Sequence, residues 1–190
     1  LTSLHNVCGF DYVAKLRKMV QDIKLAAGCN ERFRAHLEQR LAVEESDEVA
    51  PGEEIEPAQR ALLQNLSVLV LTTASWPLAE PRTNFQLPPV LAVCVDLFTR
   101  FYNTEHSGRK LMWLHNHSKG DLELVGFKKA YVITMPTYFM AVLLLFNEHS
   151  QLPYAALKSK TNLSDVELQF CLLKLTKCRL LLSVGKDGAP

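Results

Sequence analysis

The sequence has few cysteines, and their spacing shows no paired motif. There are five, an odd number, at positions 8, 29, 94, 171 and 178, and no C-x-x-C arrangement occurs among them. A disulfide framework has an even number of cysteines, and a zinc site built from cysteine pairs shows C-x-x-C spacing. The spacing therefore favours reduced thiols, and we expect a protein of the cytoplasm and nucleus.

Long apolar runs are also lacking. The longest, such as Ala141–Phe146, are far shorter than the roughly 20 residues that span a bilayer. The N-terminus shows no signal-peptide pattern. Because the chain begins with Leu1 rather than Met, we expect a piece of a longer protein, and we expect no membrane partner.

A large excess of charge of one sign is absent as well. The formal net charge is +1, which gives no overall nucleic-acid or membrane signature. The average hides a division along the chain, because residues 44–57 contain seven acidic residues and no basic one. The rest is moderately basic, with 21 basic against 13 acidic residues.

Catalytic and metal-binding motifs are missing too. No phosphate-binding glycine loop is present, and His106-Ser-Gly108 does not match the G-x-S-x-G elbow. His115 and His117 alternate onto one face of a predicted strand, but no cysteine pair accompanies them, which favours ordinary, partly exposed histidines. We expect a non-catalytic protein without a cofactor or a metal.

The chain does contain enough apolar residues for a core, at 48% of its length. Apolar residues at helical spacing predict a helix over 10–25 and a second one capped by Asn30, with a break at Ala26–Cys29. The charged, proline-interrupted stretch 43–60 predicts a mobile loop.

Strand patterns occupy the middle of the chain. They predict a strand over 66–72, a hairpin that pairs 111–115 with 122–125 around a turn at 118–121, and a further strand at 131–134. Between the first two strands, the pair Pro88-Pro89 predicts the start of a helix.

The last third of the chain is predicted to form helices followed by a strand. An apolar helix follows Pro136, a short one begins at Pro153, and Ser164-Asp-Val-Glu167 is a capping box that opens a third, before a strand at 179–184. This order is typical of a winged-helix module. The predicted stripe of the third helix comprises Val166, Phe170, Leu173 and Lys177, and the predicted core comprises Phe139, Leu143, Phe170 and Leu173.

The predicted fold class is α+β. It combines the end of a helical bundle, a small α/β sheet domain and a winged-helix module. The predicted boundaries are 1–42 for the helical segment, 43–63 for the acidic flexible loop, 64–135 for the α/β domain and 136–190 for the winged-helix module.

Three short motifs carry a resemblance to a known family. His106-Ser-Gly-Arg-Lys-Leu-Met-Trp113, Ser75-Trp-Pro77 and Ser118-Lys-Gly120 resemble the C-terminal homology region of the cullin family, closest to its cullin-1 type. The similarity runs from Cys8 to Leu182, except at the acidic segment. It implies a C-terminal fragment without the final winged helix, which carries the acceptor lysine for the ubiquitin-like modifier.

The resemblance implies a scaffold of a multi-subunit ubiquitin ligase. In such scaffolds the α/β sheet holds a zinc-containing RING protein, which recruits the ubiquitin-conjugating enzyme. Strand positions then select the lining residues for an inserted RING strand: Leu69, Leu71, Leu111, Trp113, Leu122 and Leu124. The family also implies a basic groove for an acidic tail of the conjugating enzyme, with the candidates Arg109, Lys110, Lys119, Lys128 and Lys129.

Nucleic-acid binding is the alternative function, because a winged helix can place its third helix in a major groove. Ser164, Asp165 and Glu167 would then face the bases. Phosphate would repel the two carboxylates, so the start of this helix argues against the alternative.

Overall fold

A computed structural model describes residues 9–44, 55–79, 83–126 and 128–184. The chain divides into two compact units, Leu1–Ala79 with Val90–Leu111, and Glu80–Pro89 with Met112–Pro190. The regular elements are α1 Phe10–Glu44, α2 Pro57–Gln64, α3 Pro89–Glu105, β1 Lys119–Leu124, β2 Tyr131–Pro136, α4 Thr137–Leu144, α5 Tyr154–Thr161 and α6 Asp165–Lys177, with 3-10 turns at His115–His117 and Leu145–Asn147.

In the first unit, α1 is one continuous helix of 35 residues, so the predicted break at Ala26–Cys29 is wrong. A glycine inside a helix costs only about 1 kcal/mol relative to alanine, and alanines precede Gly28. Asn30 does not cap a second helix. Its side-chain Nδ2 instead donates a hydrogen bond to the carbonyl oxygen of Ala26, 2.8 Å away.

An aromatic cluster forms the core of this unit. Phe33 of α1 packs against both Phe98 and Phe101 of α3, with ring centroids 5.1 and 5.3 Å away. Leu37 and Leu63 are also buried. The start of α3 at Pro89 confirms the helix predicted from the proline pair.

The segment 66–72 forms no strand, so that prediction is wrong. Side chains of α1 take the place of a neighbouring strand. Asn30 accepts a hydrogen bond from Val68 N at 2.8 Å and donates one to Val68 O at 2.9 Å. Asp22 accepts a hydrogen bond from Thr72 N at 2.8 Å. Local sequence does not reveal these partners, because they lie more than 30 residues away.

The predicted acidic loop is wrong at both ends, because α1 continues to Glu44 and Pro57–Gln64 forms α2. Proline at the first position of a helix loses no hydrogen bond. Glu56 N also donates to the Gln59 side chain at 3.2 Å. Residues 45–54, in the middle of the predicted loop, lie outside the described residues.

In the second unit, α4 lies at the centre of the core, as predicted from its apolar sequence. Val142 is fully buried among Leu163, Leu168 and Cys171. The predicted α5 and the capping box of α6 are confirmed. Ser164 Oγ accepts a hydrogen bond from Glu167 N at 3.3 Å, and Glu167 in turn accepts one from Ser164 N at 3.1 Å.

The predicted stripe of α6 is wrong. Val166, Phe170 and Leu173 are 78%, 53% and 65% exposed, whereas the buried residues are Leu168, Cys171 and Leu175. Both sets have helical spacing, so periodicity alone does not choose between them. Of the four predicted core residues, Phe139 and Leu143 pack against the core from its margin, whereas Phe170 and Leu173 are exposed.

The predicted strand at 179–184 is also absent from the described residues. A turn follows α6, with Arg179 in the left-handed region at φ 58°. Leu180 N and Leu181 N both donate to the carbonyl oxygen of Leu175, at 3.0 and 3.3 Å. The chain therefore folds back on the end of α6, and the described residues do not show a winged-helix module.

Candidate protein-docking site

The hairpin of β1 and β2 is the only sheet in the described part of the chain. The strands are antiparallel, and their register runs from Lys119↔Pro136 to Leu124↔Tyr131. The strand predicted at 131–134 is confirmed. The predicted pairing of 111–115 with 122–125 is wrong, because residues 111–114 form no strand and His115–His117 is a 3-10 turn.

Contacts at the start of β1 explain this difference. Ser118 O accepts a hydrogen bond from Thr137 N at 3.0 Å, and the two hydroxyl oxygens lie 2.8 Å apart. Ser118-Lys-Gly-Asp121 therefore leads into a strand beside the start of α4, although its composition is typical of a turn.

The hairpin has an inner and an outer face. Leu122 and Leu124 are half-buried on the inner face, and Leu122 lies opposite Ile133. Gly120 lies close to α4, where an added Cβ would approach Met140 Sδ to 3.1 Å. Because the side chain of Gly120 is a single hydrogen atom, α4 can pack closely on the sheet.

Each strand has one edge without a strand neighbour among the residues that the structure describes. Such an edge presents backbone N–H and C=O groups that another strand can pair with. Apolar side chains near the hairpin loop are exposed too, with Val132 at 66% and Val125 at 81%. The arrangement is suited to binding an extended peptide segment.

Aromatic rings surround His115 beside this hairpin. Trp113 stacks on His115 at 6.2 Å between centroids and 6° between planes, and Phe85 lies 5.6 Å from the same ring. Phe85 also contacts Tyr138 of α4 at 4.6 Å. Burial in this cluster lowers the pKa of His115, because it disfavours the charged imidazolium.

The six predicted lining residues are divided between the two units. Leu69, Leu71 and Leu111 belong to the first, and Trp113, Leu122 and Leu124 to the second. Leu69 is 60% exposed, and the other five are half-buried. Leu122 and Leu124 share the inner face of β1. The role of all six in RING binding stays a prediction.

The five predicted basic residues are all exposed. Arg109 and Lys110 follow α3 in the first unit, where they line an open cleft of about 460 Å³ together with Thr99, Asn103 and His106. Lys119 begins β1, and Lys128 and Lys129 lie between the strands of the hairpin. Their role in binding a conjugating enzyme stays a prediction.

Sequence reasoning missed the polar side of this cleft and the buried carboxylate of Asp22. Thr99, Asn103 and His106 have the spacing i, i+4, i+7, so a search for polar helical stripes finds them. Asp22 is 3% exposed and accepts hydrogen bonds from Thr72 and Trp76. Its place among exposed residues of α1 gives no local signal of burial.

In the described residues, no group of three or more histidines, cysteines or acidic residues could hold a metal ion. No helix in the same ranges is long and apolar enough to cross a membrane.

The described elements make an α+β chain that is helical apart from one antiparallel hairpin. The family model for the cullin alpha+beta domain matches residues 70–189. Cullin-1 of Dictyostelium discoideum is 39% identical over 183 residues, which cover 95% of this chain and 22% of the relative. Cullin-1 of Schizosaccharomyces pombe is 35% identical over 190 residues, which cover 98% of this chain and 22% of the relative.

Cullin-1 of Caenorhabditis elegans is 30% identical over 165 residues, which cover 87% of this chain and 19% of the relative. The chain belongs to the cullin family. It spans about a fifth of the length of these relatives.

Proposed function

We propose that this chain is a non-catalytic scaffold of a cullin-RING ubiquitin ligase and works in the cytoplasm and nucleus. Membership of the cullin family is the observation that carries the proposal, because the family match includes the whole hairpin and α4, which packs on it. A scaffold of this kind positions other proteins and needs no reacting side chain of its own.

The proposed binding mode is addition of a strand from a RING protein to the hairpin. A free strand edge pairs with the backbone of an extended segment, and alternate side chains of that segment contact the neighbouring apolar surface. The proposed contacts in the second unit are Leu122 and Leu124, on the half-buried face of β1, and Trp113. Leu69, Leu71 and Leu111 of the first unit are further proposed contacts of the same partner.

The proposed role of the basic residues is to attract the conjugating enzyme that the RING protein recruits. Arg109, Lys110, Lys119, Lys128 and Lys129 are exposed to solvent. Charges in this setting act over about 10 Å at moderate salt, so they raise an association rate more than a final affinity. Ubiquitin transfer should therefore depend on ionic strength.

Pull-down of a RING protein with and without its N-terminal extended segment tests the binding mode. Loss of binding on removal of the segment supports strand addition, whereas equal retention of both forms contradicts it. Leu69→Glu should also weaken retention, and Leu182→Glu is its matched control, because Leu182 is 72% exposed and lies outside the proposed lining.

A second experiment separates binding from transfer. Lys119→Glu should leave RING binding intact and slow ubiquitin transfer at low salt, because the residue is exposed and its backbone stays in β1. Transfer at an unchanged rate for this variant at low salt would argue against electrostatic attraction through Lys119. No observation favours the nucleic-acid-binding alternative.

A further inference from the structure

The cleft at the end of α3 lies wholly within the first unit. Thr99, Asn103 and His106 line it from one face at the end of the helix, and residues 107–111 complete it. The volume of about 460 Å³ exceeds that of a single small anion, and the cleft is open to solvent. No lining residue carries a carboxylate, whereas two of them, Arg109 and Lys110, carry positive charges.

These two charges have no ion-pair partner in the part of the chain that the structure describes. The acidic residues of α3 are already engaged, since Asp96 pairs with Arg100 at 2.7 Å and Glu105 with Arg32 at 3.0 Å. The positive charge of the cleft is therefore available to a ligand.

Backbone donors add to the side chains. After His106 N, which donates to Tyr102 O at 2.9 Å, the next three N–H groups donate no hydrogen bond within the described ranges. Gly108 adopts a left-handed φ of 81°, which a residue with a Cβ tolerates poorly. The turn thus presents unpaired N–H groups between α3 and the two basic side chains.

The C-terminal end of α3 carries partial negative charge, which repels an anion less strongly than the two basic side chains attract it. A helix C-terminus carries roughly half a negative charge, whereas Arg109 and Lys110 carry two full positive ones. A phosphate group, with up to two negative charges and several acceptor oxygens, suits this donor set better than a single carboxylate. The guanidinium of Arg109 can bind two phosphate oxygens at once, and Lys110 supplies a second charge.

We propose that this cleft binds the phosphate group of a small phosphorylated molecule. Arg109 and Lys110 neutralise its charge, Asn103 donates from its side-chain amide, and the N–H groups near Gly108 complete the set of donors. The proposal does not depend on the scaffold function, because it concerns a small ligand and requires neither a RING protein nor a conjugating enzyme.

Nuclear magnetic resonance titration of the 190-residue chain tests the site, with inorganic phosphate, pyrophosphate and acetate at matched ionic strength. We expect saturable shifts of the amide signals of residues 107–110 with phosphate in the millimolar range, and tighter binding of pyrophosphate. Acetate should cause no saturable change at the same concentrations. Equal responses to acetate and phosphate, or no saturation with any phosphate, would overturn the proposal.

Arg109→Gln and Lys110→Gln should each weaken pyrophosphate binding about tenfold, since a charge-assisted hydrogen bond is lost in each. The matched control is the double variant Lys15→Gln with Arg17→Gln, which removes two exposed charges from α1, about four turns before Arg32, and should change the affinity less than about twofold. A loss in the control as large as that in the cleft variants would mean nonspecific attraction and would refute the site. Arg109→Lys, which keeps the charge and removes the planar fork, should weaken binding by a smaller factor than Arg109→Gln.

A glutamate-rich peptide distinguishes the ligand class. Saturable binding of this peptide to the cleft, with no binding of phosphate or pyrophosphate, would overturn the assignment in favour of an acidic protein segment. Thermal unfolding of each variant checks the fold. Both replaced residues are exposed, so we expect the midpoints to equal that of the unaltered chain.

Discussion

The buried carboxylate of Asp22 accepts a hydrogen bond from the indole N–H of Trp76, 3.0 Å from Nε1 to Oδ2. The same carboxylate accepts hydrogen bonds from Thr72 N at 2.8 Å and Thr72 Oγ1 at 3.0 Å. Lys18, one helical turn earlier, lies 3.6 Å from Oδ1. One aspartate of α1 therefore fixes the chain where the segment 66–72 ends.

We predict that Asp22→Ala destabilises the first unit by about 3 kcal/mol. A hydrogen bond to a charged group contributes about 1.5–3 kcal/mol, and this change removes the charged acceptor of three partly buried hydrogen bonds. Gln21→Ala is the control, because Gln21 is the exposed neighbour on α1 and should change stability by less than about 0.5 kcal/mol. Denaturant unfolding measures both, and equal losses would show that the hydrogen bonds of Asp22 do not stabilise the fold.

Asp22 also predicts a dependence of stability on pH. Burial raises the pKa of its carboxyl, but the hydrogen bonds from Thr72 and Trp76 and the charge of Lys18 outweigh burial and hold the pKa below its usual value. In the unfolded chain the pKa returns to about 3.9. Between the two pKa values the unfolded state binds more protons, so stability falls as the pH falls.

The loss of stability should thus begin near pH 4 and continue as the pH falls to the pKa of Asp22 in the folded chain. Asp22→Asn carries no titrating group at this position, so the free energy of its unfolding should change less with pH in that window. Urea unfolding of both proteins at several pH values measures the difference. If the free energy of unfolding changed equally with pH in both proteins, that result would contradict a lowered pKa at Asp22.

Local chemistry predicted the elements whose signals are local. Ser164 with Glu167 marked the start of α6, and Pro89 marked the start of α3, because caps and prolines act within one turn. The prediction for 66–72 is wrong because the partners of this segment, Asn30 and Asp22, belong to a helix far away in sequence. The predicted break at Ala26–Cys29 is wrong because the cost of Gly28 is small compared with the stability of a long helix.

In the candidate site, too, features with local signals could be predicted and features set by distant contacts could not. The strand at Tyr131–Thr134 was identified from its β-branched residues, whereas the position of its partner depends on the contact of Ser118 with Thr137. A turn-like sequence therefore became the start of β1. The cleft after α3 could not be predicted, because it arises from the direction in which the chain leaves the helix at Gly108.

Two leucines of α6, one buried and one exposed, allow a matched test of which face of the helix is buried. Leu168 is fully buried and Leu173 is 65% exposed, five residues further along the same helix. Leu168→Ala should lower the free energy of unfolding by about 2–5 kcal/mol, because it removes buried methyl groups and leaves a cavity. Leu173→Ala should change it by less than about 0.5 kcal/mol. The reverse order in thermal or denaturant unfolding would mean that α6 is rotated, with the predicted stripe inside.

Cys171 of α6 and Cys178, which directly follows that helix, should differ in reactivity. Burial, and next the charge of Glu167, raise the pKa of Cys171 to about 12, and the side chain is 2% exposed. The thiolate is the form that reacts with alkylating reagents, so Cys171 holds a negligible fraction of it at pH 8. Cys178, at the end of the helix, is exposed. Iodoacetamide at pH 8 should therefore label Cys178 in the folded chain and Cys171 only after unfolding.

Mass spectrometry of the labelled peptides locates each modification, and the same reaction in denaturant is the control for complete labelling. Cys178→Ser should remove the fast reaction from α6 without exposing Cys171. Labelling of both cysteines at similar rates under native conditions would contradict the packing of α6 on α4, because reagent would then reach the side of the helix that faces Val142.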